Sequence, residues 1–216
     1  MLKSVRVGLL DSRVAGAPTD AVVATHRLTD AHTDQMLHGS QVASCVLQHC
    51  PSASLLVAEV FDYRREATVD VVLEGMAWLM KEGVQLINMS FGISNVSQRL
   101  ARACREAVSN GVVLVASTPS CGGMVYPAAF DECIAATGDA RCAPGEISWL
   151  ASASADFGTH PFLEPDNPRA GGGASIAAAR ISGLIATKLE LGVASWDLRS
   201  EMRRCARYVG PERRHE

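Results

Sequence analysis

A chain of 216 residues, 48% of them hydrophobic, carries enough apolar side chain to close one substantial core, and its length fits one domain. A net charge of -3 and a pI near 6.1 provide no global field for nucleic acid or an anionic membrane, so neither is an expected partner. No stretch reaches the roughly 18 to 20 uninterrupted apolar residues of a membrane span, and the apolar run at the N-terminus stops at Asp11, too short for a signal peptide.

In chain order, residues 5–10 read as a buried strand, 39–48 as an amphipathic helix, 54–60 as a second strand and 68–81 as a second helix. Strand 86–89, helix 100–109 and strands 112–117 and 133–137 follow. Residues 157–173, with three prolines and four glycines, read as a surface excursion that leads into a long, nearly all-apolar helix over 176–191. A surface helix over 196–206 and a frayed basic tail close the chain. Short strands alternating with helices predict an α/β fold: three layers, doubly wound around a mostly parallel sheet. No repeat or linker divides residues 1–216, which read as a single minimal domain.

The seven cysteines (Cys45, Cys50, Cys104, Cys121, Cys133, Cys142 and Cys205) are odd in number, scattered, and form no Cys-x-x-Cys pair. They read as free thiols of a reducing cytoplasm rather than as a disulfide framework or zinc site. No dense Asp/Asn/Glu loop suits calcium, so neither a structural metal nor a cofactor is expected.

In doubly wound sheets ligands bind beyond the carboxyl ends of the strands. Asp11 ends the first strand, Ser90-Phe91-Gly92 the third and Thr118-Pro119-Ser120 the fourth, while Ser175 opens the long helix behind three glycines. Acyl transfer by serine needs a base for the hydroxyl proton and a carboxylate to orient that base, and Asp11, His38 and Ser175 supply those parts. Each has a plainer reading as well. An Asp after a strand serves as a turn residue, a Ser after glycines as a helix cap, and the chain holds five other histidines.

Local sequence separates the readings. "VRVGLLDSR" around Asp11, "HGSQVAS" beginning at His38 and "GGGASIAAARISGLIA" around Ser175 resemble, in order, the aspartate, histidine and serine motifs of the subtilisin-like serine proteases. "GVQLINMSFG" is similar to that family's substrate-edge strand, and "GVVLVASTPS" followed by "MVYPAAFDECIAATG" to its oxyanion segment and the strand beyond. The resemblance implies a subtilisin-like fold and a triad in which Ser175 attacks a peptide carbonyl, His38 shuttles its proton and Asp11 holds the imidazole. It also implies that Ser90, Phe91, Gly92 and Ile93 form an edge for an extended peptide, with Ser117 and Thr118 lining its pockets.

Departures bear on rate and role. Ser120 stands where the family has an oxyanion asparagine and Pro119 where it has glycine, so the oxyanion donors expected here are Ser120 and the backbone amide of Ser175. Arg13, Gln41 and Ala178-Ala179-Arg180 also replace family residues, with effects expected on packing and loop shape. The charged run Asp62-Tyr63-Arg64-Arg65-Glu66 reads as a solvated loop near the cleft, with selection of a charged leader as its functional alternative.

A chain that starts at the first strand, without signal peptide or propeptide, is expected to be a dedicated intracellular maturation protease. More narrowly, it resembles the compact subtilisin-like proteases that remove the leader peptide from the cross-linked small subunit of quinohemoprotein amine dehydrogenase. That subunit is the expected partner. The competing expectation is a weak or inactive module that binds a leader peptide without cutting it.

Overall fold

The computed structural model describes residues 4–16, 19–29, 37–62 and 66–212. The elements begin with β1 (Arg6–Asp11), β2 (Val22–Arg27), α1 (His38–His49), β3 (Ser54–Glu59), α2 (Val69–Lys81), β4 (Leu86–Met89) and α3 (Gln98–Ser109). They continue with β5 (Val113–Ser117), β6 (Cys133–Gly138), β7 (Ile147–Trp149), β8 (Phe157–Thr159), β9 (Phe162–Glu164), β10 (Asn167–Gly172), α4 (Ala174–Glu190), α5 (Leu198–Arg204) and β11 (Tyr208–Val209).

Alternation along the central strands feeds two cores. Val7 and Leu9 of β1, Leu55 and Val57 of β3, and Val113 and Val115 of β5 face α1, α4 and α5. Their neighbours Leu10, Leu56, Ala58, Leu114 and Ala116 face α2 and α3 on the other side. Both faces of the sheet are therefore covered, and the strands read as continuous apolar runs. At about 25 cal/mol per Å² of apolar surface removed from water, this two-sided burial is the main stabilising term.

Nine strands form the sheet in the order β11-β7-β8-β6-β5-β4-β1-β3-β2, parallel throughout except where β7 meets β8. Gly8 of β1 pairs with Leu56 of β3 on one side and Ile87 of β4 on the other. From β1 the chain winds outward through β3, and from β4 it winds the opposite way through β5 and β6. The gap between β1 and β4 is thus the topological switch point, where such sheets place their ligands.

Helix starts follow local chemistry: Thr68 Oγ1 accepts from the Val71 amide and Ser97 Oγ from the Leu100 amide, each at 3.3 Å. Residues 157–173 depart from the expected surface excursion. Phe157–Thr159 is a buried strand between β6 and β7 in the main sheet, and residues beyond it fold into the β9–β10 hairpin. Strands of three residues are too short to show a period, so only their distant partners define them. The same reason hides β7 and β11. At the C-terminal end, a 3₁₀ turn at Ser195–Asp197 precedes a helix limited to Leu198–Arg204, where a single surface helix was expected.

Candidate active site

Asp11, the last residue of β1, is fully buried, and its Oδ1 gathers three donors. The Ser12 amide donates at 2.7 Å, the Ser12 hydroxyl at 3.2 Å and His38 Nδ1 at 2.8 Å, while Oδ2 is buried with no hydrogen-bond partner. An ionised carboxylate can only accept, so the imidazole carries its proton on Nδ1 and Nε2 remains the basic nitrogen of the neutral ring.

His38 is brought to Asp11 by the way α1 begins. Leu37 precedes the helix without a capping side chain, and the Gly39 amide donates instead to Ser12 Oγ at 2.9 Å. Ser40 Oγ donates to the Ala15 carbonyl and accepts from the Ala15 amide, both at 2.9 Å, strapping the segment after β1 to the first helical turn. The approach is so close that a Cβ on Gly39 would lie 2.2 Å from the Ser12 carbonyl oxygen. Ser12 and Ser40 were not singled out by the sequence; Ser12 sits within the aspartate motif and Ser40 within the histidine motif, the only signal that points to them.

Ser175 is the second residue of α4. Gly171 and Gly173, at φ +115° and +120°, adopt backbone conformations that L side chains rarely take, and a Cβ on Gly172 would lie 2.6 Å from the Pro161 carbonyl oxygen. The glycine run thus turns the chain sharply off the hairpin and into the helix. First-turn amides of a helix have no intrahelical acceptor, and the Ser175 N–H is among them, at the positive end of a 17-residue helix.

The Ser175 hydroxyl donates to the Ser90 carbonyl at 3.1 Å, across the switch point. Ser90 is itself anchored: Asn88 Nδ2 donates to its hydroxyl at 2.8 Å, and Ser182 Oγ of α4 donates to Asn88 Oδ1 at 2.9 Å. Asn88 and Ser182 are fully buried, so this polar chain ties α4, the helix that carries Ser175, to the end of β4 inside the core.

Phe91, Gly92 and Ile93 line a mostly apolar cavity of about 370 Å³ together with Phe61, Val72 and Leu100, with Glu66 as its one charged lining residue among those described. Ile93 exchanges two 2.8 Å backbone hydrogen bonds with Tyr126, so its main chain is already paired. Ser117 and Thr118 are buried at the end of β5, with the Thr118 amide bonded to the Ala136 carbonyl at 2.9 Å. Ser120 is exposed in the turn beyond, and among the described residues no hydrogen bond joins it to Ser175. Tyr63, Arg64 and Arg65 of the charged run lie outside the described residues; Asp62 and Glu66 are joined by a 2.9 Å bond from the Glu66 amide to Asp62 Oδ1.

All seven cysteines are free, five buried and two (Cys121 and Cys205) exposed. Among the described residues no cluster of three or more His, Cys, Asp or Glu side chains is placed to hold a metal ion. No helix there is long and apolar enough to cross a membrane.

The pattern of the Subtilase family matches residues 18–204. Subtilisin DY of Bacillus licheniformis is 30% identical over 151 residues, covering 61% of this chain and 55% of that protein. Subtilisin E of Bacillus subtilis is 28% identical over 152 residues, covering 61% of this chain and 40% of that protein. The chain thus spans about half or less of these relatives' length. Among solved structures, a mutant form of the protease domain of PatA superposes with a TM-score of 0.69 at 20% identity, over 97% of this chain and 94% of that one. A psychrophilic subtilisin-like protease from an Antarctic Pseudoalteromonas gives 0.53 at 18% identity, over 62% of this chain and 36% of that one. These structural likenesses establish the subtilisin-like fold. With the family pattern running from residue 18 to residue 204, the chain belongs to the subtilase family.

Proposed function

We propose that the chain is a serine endopeptidase in which Asp11, His38 and Ser175 form the catalytic triad. The observation that carries the reading is the 2.8 Å bond from His38 Nδ1 to the buried Asp11, which leaves Nε2 as the base in a site whose serine opens a helix. In the ligand-free state the Ser175 proton rests on the Ser90 carbonyl, so a rotation about the Cα–Cβ bond precedes transfer to His38. Ser175 Oγ then attacks the peptide carbonyl, Nε2 takes the hydroxyl proton and returns it to the leaving amine, and water hydrolyses the acyl-enzyme by the same route. The Ser175 amide and the Ser120 hydroxyl are the oxyanion donors of this reading.

The substrate is an extended peptide held along Ser90–Gly92, with an apolar side chain in the cavity beside Phe91 and Ile93. Its biological source is a leader-bearing protein cut once during maturation, with the cross-linked small subunit of an amine dehydrogenase as the named candidate. Free thiols fit a cytoplasmic setting. A second reading, a subtilase-fold module that grips a leader without cutting it, draws on Ser120 in the asparagine slot and on the Ser175 proton engaged by Ser90.

Intact mass after exposure to a serine-directed fluorophosphonate separates the two. A one-to-one adduct that disappears in Ser175→Ala supports the protease; a folded wild type that takes no label supports the binding module.

A further inference from the structure

We propose that Arg180 is a positioning residue, a buried clamp that holds the β9–β10 hairpin and through it the entry of Ser175 into α4. The inference rests on the reading of Ser175 as nucleophile.

Arg180 is 2% exposed, yet among the described residues its hydrogen bonds run only to neutral acceptors. One terminal nitrogen donates to the Phe162 carbonyl at 2.8 Å and the Leu163 carbonyl at 3.2 Å, the other to Gln48 Oε1 of α1 at 3.2 Å, and Nε is buried without a partner. A guanidinium buried without a carboxylate is a poor device for stability alone, because its desolvation is not offset by an opposite charge. Its planar fork does suit two adjacent carbonyls and a side chain in fixed directions, which a lysine cannot reproduce.

The grip falls on a lightly paired hairpin. β9 and β10 pair only at Asn167 with Glu164 and Gly172 with Phe162, with an irregularity between, and a two-stranded hairpin of this kind is not stable on its own. Phe162, whose carbonyl Arg180 holds, is the partner of Gly172, and the next amide, that of Gly173, donates to the Pro161 carbonyl at 2.8 Å. Two residues later stands Ser175. The chain therefore leaves the hairpin, enters α4 and, five residues beyond the serine, sends Arg180 back to fasten the hairpin it came from. Gln48 adds α1, the helix that begins with His38, to the same fastening.

The test compares wild type, Arg180→Met and Arg180→Lys in the full chain. The readouts are amide hydrogen exchange across residues 162–173 and the rate of Ser175 modification by the fluorophosphonate per folded molecule. Arg180→Met is expected to speed exchange and slow labelling by about tenfold or more, with Arg180→Lys between it and wild type in both. Unchanged labelling in a folded Arg180→Met protein, whatever its stability, overturns the proposal. Should that variant fail to fold, Arg180→Lys decides alone: wild-type exchange and labelling overturn the proposal, and coupled changes in both support it. A wild type that takes no label removes the nucleophile reading, and the clamp's role with it, before any variant is compared.

Discussion

His38 reaches Asp11 across 27 residues of chain through a 2.8 Å hydrogen bond, and a single serine, Ser12, binds both sides of the junction. The Ser12 hydroxyl donates to Asp11 Oδ1 while accepting from the Gly39 amide. The carboxylate thus orients the imidazole while the Ser12 hydroxyl beside it holds the start of α1. Asp11→Asn would keep the shape but present an amide to Nδ1, favouring the wrong tautomer. Turnover on a peptide substrate is expected to fall by about 10⁴ with the fold retained by circular dichroism.

Gly39→Ala tests the closeness of that junction. A Cβ there meets the Ser12 and Arg13 carbonyl oxygens at 2.2 and 2.8 Å, and both are backbone atoms that move only with the segment. Thermal unfolding should show a loss of about 1–3 kcal/mol, and turnover should drop as His38 is pushed from Asp11.

Asn88 joins Ser90 to Ser182 in the core, so Asn88→Leu would leave two buried hydroxyls without their partner. Urea denaturation is expected to report a loss of about 1–3 kcal/mol for each hydroxyl. Because the Ser90 carbonyl also accepts the hydrogen bond of the Ser175 hydroxyl, the rate of Ser175 labelling should change in the same variant.

Removing the asparagine donor from a subtilisin costs about 10²–10³ in turnover. Ser120→Asn is therefore expected to raise turnover of this chain within that range if oxyanion stabilisation limits the rate. Ser120 is exposed, so stability should stay within about 0.5 kcal/mol of wild type. Single-turnover kinetics, which isolate acylation from product release, provide the check.

Acid should weaken the fold through His49. Burial, and then the positive charge of Arg180, push its imidazole below the ordinary value of 6.5. As pH falls through 6.5 the unfolded chain takes the proton first, so this contribution to stability is full above that pH and declines below it. His49→Gln is expected to flatten the fall in unfolding free energy as pH drops below about 6.5; an identical slope in both proteins would remove His49 as its source.

Much of this organisation is legible along the chain, for identifiable reasons. β4 spans residues 86–89 as read from the sequence, because Leu86, Ile87 and Met89 are apolar, Gln85 and Ser90 bound them, and both faces of the strand are covered. The long apolar helix, read over 176–191 with Ser175 at its opening, spans Ala174–Glu190, starting as the glycines end. β2 is harder: only alternate residues are half-buried at the sheet edge, and its pattern V-V-A-T-H-R carries a weak period. β8 and the β9–β10 hairpin are hidden among prolines and glycines that read locally as loop: the partners of β8 lie in other segments, and β9 and β10 pair only with each other, at two positions with an irregularity between.

The sequence by itself determined the order of the central strands β1, β3, β4, β5 and β6 and of the helices between them, the two-sided burial of those strands, and which chemical groups stand at their ends and at helix starts. These follow from periodicity and turn chemistry, which act over a few residues. Only the tertiary structure decided that the Ser175 proton rests on a carbonyl 85 residues away, that Ser12 joins Asp11 to α1, and that buried Arg180 grips the hairpin before the serine. Those choices belong to hydrogen-bonding groups that burial forces to find partners, and the partners available are the ones the packed layers bring within reach.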